Sequence, residues 1–324
     1  MATKIVELRE VDRAEVISLI DNSIDFISTI QREEVQQVRK WMKERMGEKW
    51  VAEHFSSPLA EHGFSVLIRV FDDEKWHSIL FDTGASPEGV ITNAKHMGLN
   101  LSEVETIILS HGHHDHCGGL VAVSQVIRKD IPIIVHEDMF KTRGSIGADG
   151  SVRKHAEFPN AERVKPAKYV KTKQPCLLAG STVLVTGEIP RTTDFEKGFL
   201  KQRVLVDGRW QPDPLVRDDR AVVLNVKRKG LVVISGCAHA GIINTVFYAQ
   251  QVTGVAKICA VMGGFHLAGK ESEPRIGRTV EELNQLKPSM VAPSHCTGWR
   301  GIQAIAQALP EAFVWNSVGN LYQF

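Results

Sequence analysis

Short apolar runs alternate with helical patterns along most of the chain. The runs are four to seven residues long and rich in Val, Ile and Leu, which is typical of buried β-strands. They lie at 64–70, 78–81, 106–110, 132–136, 182–186, 221–226, 231–235, 257–262 and 312–315. Apolar residues recur at helical spacing at 87–97, 119–129, 241–252, 274–286 and 299–309. The alternation predicts an α/β layered fold in which helices cover a sheet or a pair of sheets.

The segment 31–50 departs from this alternation because it is a long, charged helical pattern. Its apolar residues form one stripe, made of Val35, Val38, Trp41, Met42 and Met46. We expect a surface helix that is docked on the core, and a lid or a dimer contact is the alternative. No fixed-period repeat or low-complexity linker interrupts the chain, so we expect one domain over residues 1–324 with a helical insertion at about 31–58.

Two further stretches, 141–166 and 191–220, are long, weakly periodic and rich in Gly, Pro and charged residues. Loops of this length in a compact enzyme are often functional.

Composition and charge exclude several classes of protein. The chain has 324 residues, and Lys+Arg 39 against Asp+Glu 38 gives a formal net charge of +1. This balance argues against a protein that wraps nucleic acid or binds membranes through basic charge, so we expect a small-molecule substrate and neither of those partners. The sequence does not indicate an oligomeric state.

Cysteine usage and the first residues indicate the compartment. The five cysteines are odd in number and scattered, which does not suggest a disulfide framework. The first twenty residues interleave charges and lack the apolar region of a signal peptide, and no apolar run approaches the ~18–20 residues of a membrane helix. We expect a reduced, cytoplasmic setting.

The strongest chemical signal is a histidine-rich turn at residues 109–119, where four of the chain's 13 histidines lie within six positions. It follows a predicted strand and precedes a predicted helix. His111 and His113 are two residues apart at the strand end, so both rings project to the same side, whereas Asp115 and His116 can face a second point. Imidazoles and a carboxylate suit zinc or iron. The turn therefore predicts a metal site.

This His-x-His-x-Asp-His pattern resembles the signature of the metallo-β-lactamase superfamily. The FDTG segment at 81–84 is similar to the Asp-Thr-Gly turn of those proteins, and VAPSHCTG at 291–298 resembles their last ligand motif. The resemblance covers about residues 60–324. It implies an αββα sandwich with a dinuclear site on one edge, which holds two divalent metal ions. Zinc is the expected metal, with iron or manganese as alternatives.

Five further motifs resemble one branch of that superfamily, the dihydropterin-(ribofuranosyl)aminobenzene-phosphate-synthase-like metallo-hydrolases. They lie at 61–66, 186–191, 218–224, 235–242 and 263–267. The namesake activity joins a pterin to an aminobenzene ribosyl phosphate in methanopterin biosynthesis. Most members are known only as metal-dependent hydrolases, so the branch indicates the scaffold better than the substrate.

Two motifs depart from the superfamily pattern. The third ligand motif usually presents Gly-His, but this chain has Glu188 after Gly187; the fourth usually presents Gly-Asp, but this chain has Cys237 after Gly236. We interpret both changes as a shift of ligand, in which His239 supplies the missing imidazole while Cys237 or Glu188 approaches the metals. Cys237 could instead be a small buried apolar residue. The implied metal ligands are then His111, His113, Asp115, His116, His239 and His295.

Two residues are candidates for substrate binding. His266 ends a predicted strand after two glycines, and we expect it to face the substrate; a metal ligand or a structural residue are the alternatives. Pro190 makes a helical continuation unfavourable, so we expect an extended segment that places Arg191 over the cleft, where its guanidinium would bind an anionic group. The alternative is that Arg191 pairs with Asp194, Asp218 or Asp219.

The other histidines carry less information. His62 and Asn22 lie in segments that resemble family positions near the site, but the sequence cannot place them. We interpret the rest as isolated residues, namely His54, His77, His96, His136 and His155.

This constellation supports a metal-dependent hydrolase, or a mechanistically related transferase, that acts on a small phosphorylated or pterin-like molecule. The metals would lower the pKa of a bound water and supply hydroxide at neutral pH, and Asp115 would bind one metal and orient that hydroxide. A di-iron redox protein on the same scaffold and a non-enzymatic metal-dependent binding protein are the alternatives. Neither a Gly-x-Ser-x-Gly elbow nor a P-loop is present in the sequence.

Overall fold

Strands and short helices alternate along the chain. The computed structural model describes residues 5–72 and 74–324. Its strands, in chain order, are β1 (Glu10–Val11), β2 (Arg13–Ile20), β3 (Val35–Gln36), β4 (Ser65–Phe71), β5 (Trp76–Phe81), β6 (Thr106–Ile108), β7 (Pro132–Val135), β8 (Arg143–Ile146), β9 (Val152–Lys154), β10 (Lys168–Lys171), β11 (Cys176–Leu178), β12 (Val183–Val185), β13 (Gln202–Val206), β14 (Arg209–Pro212), β15 (Ala221–Val226), β16 (Gly230–Ser235), β17 (Ile258–Gly264), β18 (Met290–Ser294) and β19 (Leu321–Gln323).

The α-helices are α1 (Val38–Met46), α2 (Glu48–His54), α3 (Gly89–His96), α4 (His114–Cys117), α5 (Leu120–Ile127), α6 (Ala161–Val164), α7 (Ile242–Thr253), α8 (Ile276–Leu286) and α9 (Gly298–Ala308). Single 3₁₀ turns occupy Leu101–Glu103, Glu137–Phe140, Glu273–Arg275 and His295–Thr297. Among the described helices, none combines the length and the apolar character that a bilayer crossing requires.

Two sheets carry the fold. The first has the strand order β10-β7-β6-β5-β4-β2-β19-β3, and the second has the order β11-β12-β15-β16-β17-β18, with β1 paired to β15. β5, β6 and β7 run parallel in the first sheet, as β16, β17 and β18 do in the second. Helices connect these parallel strands, as parallel pairing requires. The carboxyl ends of each parallel set therefore meet at one edge of its sheet.

Three buried apolar clusters define the layers. The first lies between the sheets and includes Ile68 and Ile234. The second packs the first sheet against α1, α3 and α5, through residues such as Trp41 and Leu120. The third packs the second sheet against α7, α8 and α9, with Ile305 among its residues. The order helix, sheet, sheet, helix confirms the αββα sandwich that the resemblance implies.

A smaller antiparallel sheet, with the strand order β14-β13-β8-β9, stands beside the sandwich. We call it the accessory sheet. Its strands come from within 141–166 and 191–220, the two stretches in which the sequence predicted only loops. That prediction was wrong about structure, because strands of three to five residues with mixed polarity give no clear period.

Other elements also differ from the predicted ones, and the sequence did not predict the short strands β1, β10, β11 and β19. Residues 31–50 do not form one helix, because β3 precedes α1 and Gly47, with φ of +89°, separates α1 from α2. Residues 312–315 form only an isolated bridge, between Phe313 and Val291. The buried strand β2 was missed because its charged residues break the apolar run; Glu15 pairs there with Arg45 at 2.5 Å.

The first helix of the insertion is part of the core. Trp41 is fully buried, and its Nε1 donates a hydrogen bond to the Gly319 carbonyl at 2.8 Å. Met42 on the same helix is also fully buried. These contacts agree with the expected docked helix.

Truncation of Trp41 tests this docking. Trp41→Ala would leave a cavity in the core, and it should lower the free energy of unfolding by about 3–5 kcal/mol. Trp299→Ala, at a residue whose side chain is 63% exposed, should change it by no more than about 0.5 kcal/mol. Chemical denaturation measures both. Equal effects of the two substitutions would show that α1 does not belong to the core.

Candidate metal centre

Polar side chains collect at the edge where the parallel strands of both sheets end. In the first sheet, Asp82 follows β5 and His111 lies three residues after β6. In the second sheet, Cys237, His266 and His295 follow β16, β17 and β18. The carboxyl ends of strands are where α/β folds build their sites. Of the remaining predicted ligands, His113 and His239 lie in the turns that follow β6 and β16, and Asp115 and His116 lie on α4.

Three imidazoles converge on one point. His111 Nε2 lies 3.0 Å from His113 Nδ1, and His239 Nε2 lies 3.2 Å from the former and 3.1 Å from the latter. Three nitrogens bound tetrahedrally to one zinc ion at ~2.0–2.1 Å would be about 3.3 Å apart. The spacing therefore fits one shared metal ion, and it brings together His111, His113 and His239 as the sequence predicted.

A second group lies beside the first. Asp115 Oδ2 is 3.2 Å from His295 Nε2 and 3.8 Å from His116 Nε2. His295 Nε2 is buried and has no hydrogen-bond partner among the described residues, which is costly unless a ligand occupies the position. Asp115, His116 and His295 thus present two imidazole nitrogens and a carboxylate oxygen to a common region, again as predicted.

Each of three histidine rings is held by a hydrogen bond on the nitrogen that points away from the centre, and this bond orients the nitrogen that faces the centre. His111 Nδ1 donates to Ser110 Oγ at 2.9 Å, and His113 Nε2 donates to the Gln202 side-chain oxygen at 3.2 Å. On the other side, His295 Nδ1 donates to Asn22 Oδ1 at 3.1 Å. Since each ring gives its N–H to an outer oxygen, its other nitrogen keeps a free lone pair that faces the centre. Metal-binding histidines in proteins are held in this way.

A buried carboxylate, that of Asp82, holds the ring of His116 in place. Asp82 accepts hydrogen bonds at 2.7 Å from His116 Nδ1, from the Ser110 hydroxyl and from the Ser110 amide. The neighbouring strand end approaches closely, because a Cβ at Gly236 would lie 2.7 Å from Asp82 Oδ2. Only glycine leaves room there. Asp82 is therefore a positioning residue, within the FDTG segment that the sequence singled out.

Burial and charge set the protonation of the cluster. Burial, reinforced by the neighbouring imidazoles, holds the pKa values of His111 and His239 well below the usual range, and burial lowers the pKa of His113 to about 4. These rings are neutral at pH 7, the state that binds metal. Burial opposes protonation of His116, but the Asp82 and Asp115 carboxylates raise its pKa to about 9.

Two cysteines border the same centre. Cys237 Sγ lies 3.1 Å from His116 Nε2 and 3.2 Å from Cys296 Sγ, and both thiols are buried. Sulfur from cysteine is a preferred zinc ligand. The structure therefore places Cys237 among the candidate ligands, and it adds Cys296, which sequence reasoning missed although it directly follows His295.

Several further residues lie around the centre. His266 is next to His239, with ring centroids 4.3 Å apart. His62 Nε2 is 3.7 Å from Asp115 Oδ2. His155, interpreted from the sequence as isolated, has its ring 5.4 Å from that of His113. The centre opens into a cleft of about 570 Å³ that these three histidines line.

Arg191 and Glu188 lie elsewhere. The Arg191 guanidinium donates to the carbonyls of Ile189 and Leu215, and the residue lines a separate cavity, so the structure does not bring it to the cleft. Of the three acids considered as its partners, Asp194 and Asp218 pair instead with Arg278 and Arg143. The buried Asp219 does interact electrostatically with Arg191. The Glu188 carboxylate accepts a hydrogen bond from His136 Nε2 at 3.1 Å and is not among the groups around the centre.

Comparison with known sequences gives a consistent result. Residues 60–295 match the sequence profile of the metallo-beta-lactamase superfamily. A 7,8-dihydropterin-6-methyl-4-(β-D-ribofuranosyl)-aminobenzene-5′-phosphate synthase of Methanocaldococcus jannaschii is 32% identical over 280 residues, which cover 83% of this chain and 92% of that protein. An uncharacterized protein of the same organism is 32% identical over 271 residues, covering 81% of this chain and 93% of that protein.

Solved structures show the same fold. A metal-dependent hydrolase of the β-lactamase superfamily superposes with a TM-score of 0.69 at 23% identity, covering 96% of this chain and 98% of that one. Zn²⁺-bound PqqB from Methylobacterium extorquens superposes with a TM-score of 0.50 at 12% identity, covering 96% of this chain and 99% of that one.

Removing the Asp82 charge tests the positioning role. Asp82→Asn should weaken metal binding by about 10–100-fold, because the amide cannot hold the His116 N–H as a carboxylate does. Competition with a chromophoric chelator measures this affinity. Asp130→Asn, at an exposed ion pair with Lys168, is the control and should leave it unchanged. Equal affinities of the two variants would contradict the assignment.

Cobalt substitution tests whether Cys237 binds metal. If its thiolate is a ligand, the Co²⁺ protein should show a sulfur-to-metal charge-transfer band that Cys237→Ser loses. Cys259→Ser, at a buried cysteine in the core between the sheets, is the matched control and should retain the band. Identical spectra for the wild-type protein and Cys237→Ser would identify Cys237 as a structural residue.

Proposed function

The chain belongs to the metallo-β-lactamase superfamily, and we propose that it is a metal-dependent hydrolase, or a mechanistically related transferase, acting on a small phosphorylated or pterin-like molecule. One observation carries the proposal. Two groups of ligand atoms border a single open cleft: one is made of His111, His113 and His239, and the other is made of Asp115, His295 and His62, with His116 Nε2 3.8 Å from Asp115 Oδ2. A purely structural metal site would be closed to substrate, whereas catalytic sites keep an open position.

The proposed cofactor is a pair of divalent ions, zinc in the first instance, with iron or manganese as alternatives. His111, His113 and His239 would hold one ion, and Asp115, His116 and His295 the other. When bound, such a pair would polarise a substrate oxygen and lower the pKa of a water molecule to about 7, which would supply hydroxide at neutral pH.

Asp115 is also placed to orient the attacking water. Its side chain is partly exposed to the cleft, and Oδ2 faces His295 and His62. Although burial raises it, the pKa of Asp115 is held below its usual range, chiefly by the charge of His116, so the carboxylate stays ionised. An ionised carboxylate oxygen can accept a hydrogen bond from the attacking water and orient it.

The cleft supports a small-molecule substrate. Its volume of about 570 Å³ lies within the range of small-molecule sites. Phe199 forms an apolar wall, with its ring stacked on His239 at a centroid distance of 5.6 Å. The similar archaeal protein is named as the synthase of an aminobenzene ribofuranosyl phosphate product, which supports a phosphorylated or pterin-like substrate. The proposed setting is the cytoplasm, where the free thiols of Cys237 and Cys296 stay reduced.

Metal removal and one substitution test the proposal together. A panel of phosphate monoesters, phosphodiesters and carboxylic esters should reveal a hydrolysis that chelation abolishes and divalent metal restores. Asp115→Asn should lower kcat/KM for the best substrate by at least about 100-fold, because it removes both a ligand and the group that orients water.

Asp149→Asn, in an exposed turn of the accessory sheet, is the matched control and should keep full activity. Activity that survives complete metal removal, or an Asp115→Asn variant as active as the control, would contradict the proposed mechanism.

A further inference from the structure

The accessory sheet presents one row of polar residues across three strands. Ser145 on β8 is paired in register with Gln202 on β13 and with Arg153 on β9. Residues that are paired in this way share a face of the sheet. Gln202, Ser145 and Arg153 therefore point to the same side.

That side faces the metal centre. The Gln202 side-chain oxygen accepts a hydrogen bond from His113 Nε2, and Ser145 Oγ lies 2.7 Å from His155 Nε2. His155 packs its ring against His113. Since side chains alternate along a strand, Arg153 shares the face of His155, two residues away. Arg153 thus ends the row at β9, the edge strand, where it lines the cleft.

The Arg153 guanidinium is available for a ligand. Within residues 5–72 and 74–324, no carboxylate lies within ion-pair distance of it. The neighbouring cation differs in this respect, because Lys154 Nζ pairs with Glu157 at 2.7 Å. Deeper in the same sheet, Arg143 is held by Asp218 at 2.6 Å.

The charge of the cleft favours an anion. Of the described residues that line it, Asp115 alone carries a carboxylate, and that carboxylate belongs to the metal centre. The rim, in contrast, carries Arg153 and Lys154. A guanidinium offers a planar fork of donors that matches two oxygens of a phosphate group.

We propose that Arg153 binds the phosphate group of the substrate at the mouth of the cleft, while the metal centre acts at its base. This inference rests on the proposed function and names the residue that selects a phosphorylated substrate. It also gives the accessory sheet a role, since the pairing of β8, β9 and β13 fixes Arg153 relative to His113 through Gln202 and Ser145.

Calorimetric titration of the metal-loaded protein with inorganic phosphate tests the proposal. Arg153→Gln should weaken phosphate binding about tenfold, the effect of one charge-assisted contact. Arg153→Lys keeps the positive charge but lacks the planar pair of N–H donors. Its phosphate affinity should therefore lie between those of the wild-type protein and Arg153→Gln. Metal content, measured on the same samples, should be unchanged in both variants.

A matched control removes one positive charge elsewhere on the same sheet. Arg209→Gln acts on an exposed arginine on β14, the outer strand of the accessory sheet. It should leave the phosphate affinity within about twofold of the wild-type value, because Arg209 is not among the residues that line the cleft. An Arg153→Gln affinity no weaker than that of this control would overturn the proposal.

Acetate distinguishes a phosphate site from a general carboxylate site. The loss of affinity in Arg153→Gln should be larger for phosphate than for acetate, and an equal loss would overturn the assignment to phosphate. These titrations need no turnover, so they are separable from the proposed function. Absence of hydrolysis on every ester would contradict the hydrolase and leave the titration result standing, whereas an unaffected phosphate affinity would contradict only the role of Arg153.

Discussion

Buried imidazole nitrogens that face one another need a cation between them. The residues at the polar edge of the sandwich hold these nitrogens in that arrangement. Inner nitrogens of His111, His113 and His239 lie within 3.2 Å of each other, which leaves room for one metal ion and not for three N–H protons. The outer nitrogens of His111 and His113 are hydrogen-bonded to Ser110 and Gln202, so these two rings cannot rotate to relieve the contact without losing those bonds. The strands, turns and outer oxygens can all be understood as the support of this arrangement.

The departure from the superfamily pattern has a structural explanation. Where the third motif usually supplies a histidine, Glu188 instead accepts a hydrogen bond from His136, away from the centre. His239, in the turn between β16 and α7, lies beside His111 and His113, where it can supply the missing imidazole. Cys237, two residues earlier, takes the place in the motif where a bridging aspartate is usual, and its sulfur lies close to His116. One short turn thus brings both candidate replacements to the centre.

Local sequence signals predicted the layered fold and pointed to six candidate ligands that the structure brings near one another, because strand ends and histidine spacing can be recognised within short segments such as 109–119. Contacts between distant segments could not be predicted in this way. Gln202 meets His113 only because β13 pairs with β8, and the position of Arg153 depends on the same long-range register. Arg191 is the opposite case, because its residue type suits an anion but the structure has its guanidinium donating to the carbonyls of Ile189 and Leu215. Secondary-structure propensity and residue spacing say little about which distant side chains come into contact.

The central claim is that two separate ligand sets hold two metal ions, and metal stoichiometry tests it most directly. Elemental analysis of protein purified without chelator should give about two divalent ions per chain. His239→Ala removes a ligand from one set and His295→Ala from the other, so each variant should retain about one ion, and the double variant should retain almost none. A wild-type stoichiometry of one, or single variants that both keep two ions, would contradict the account.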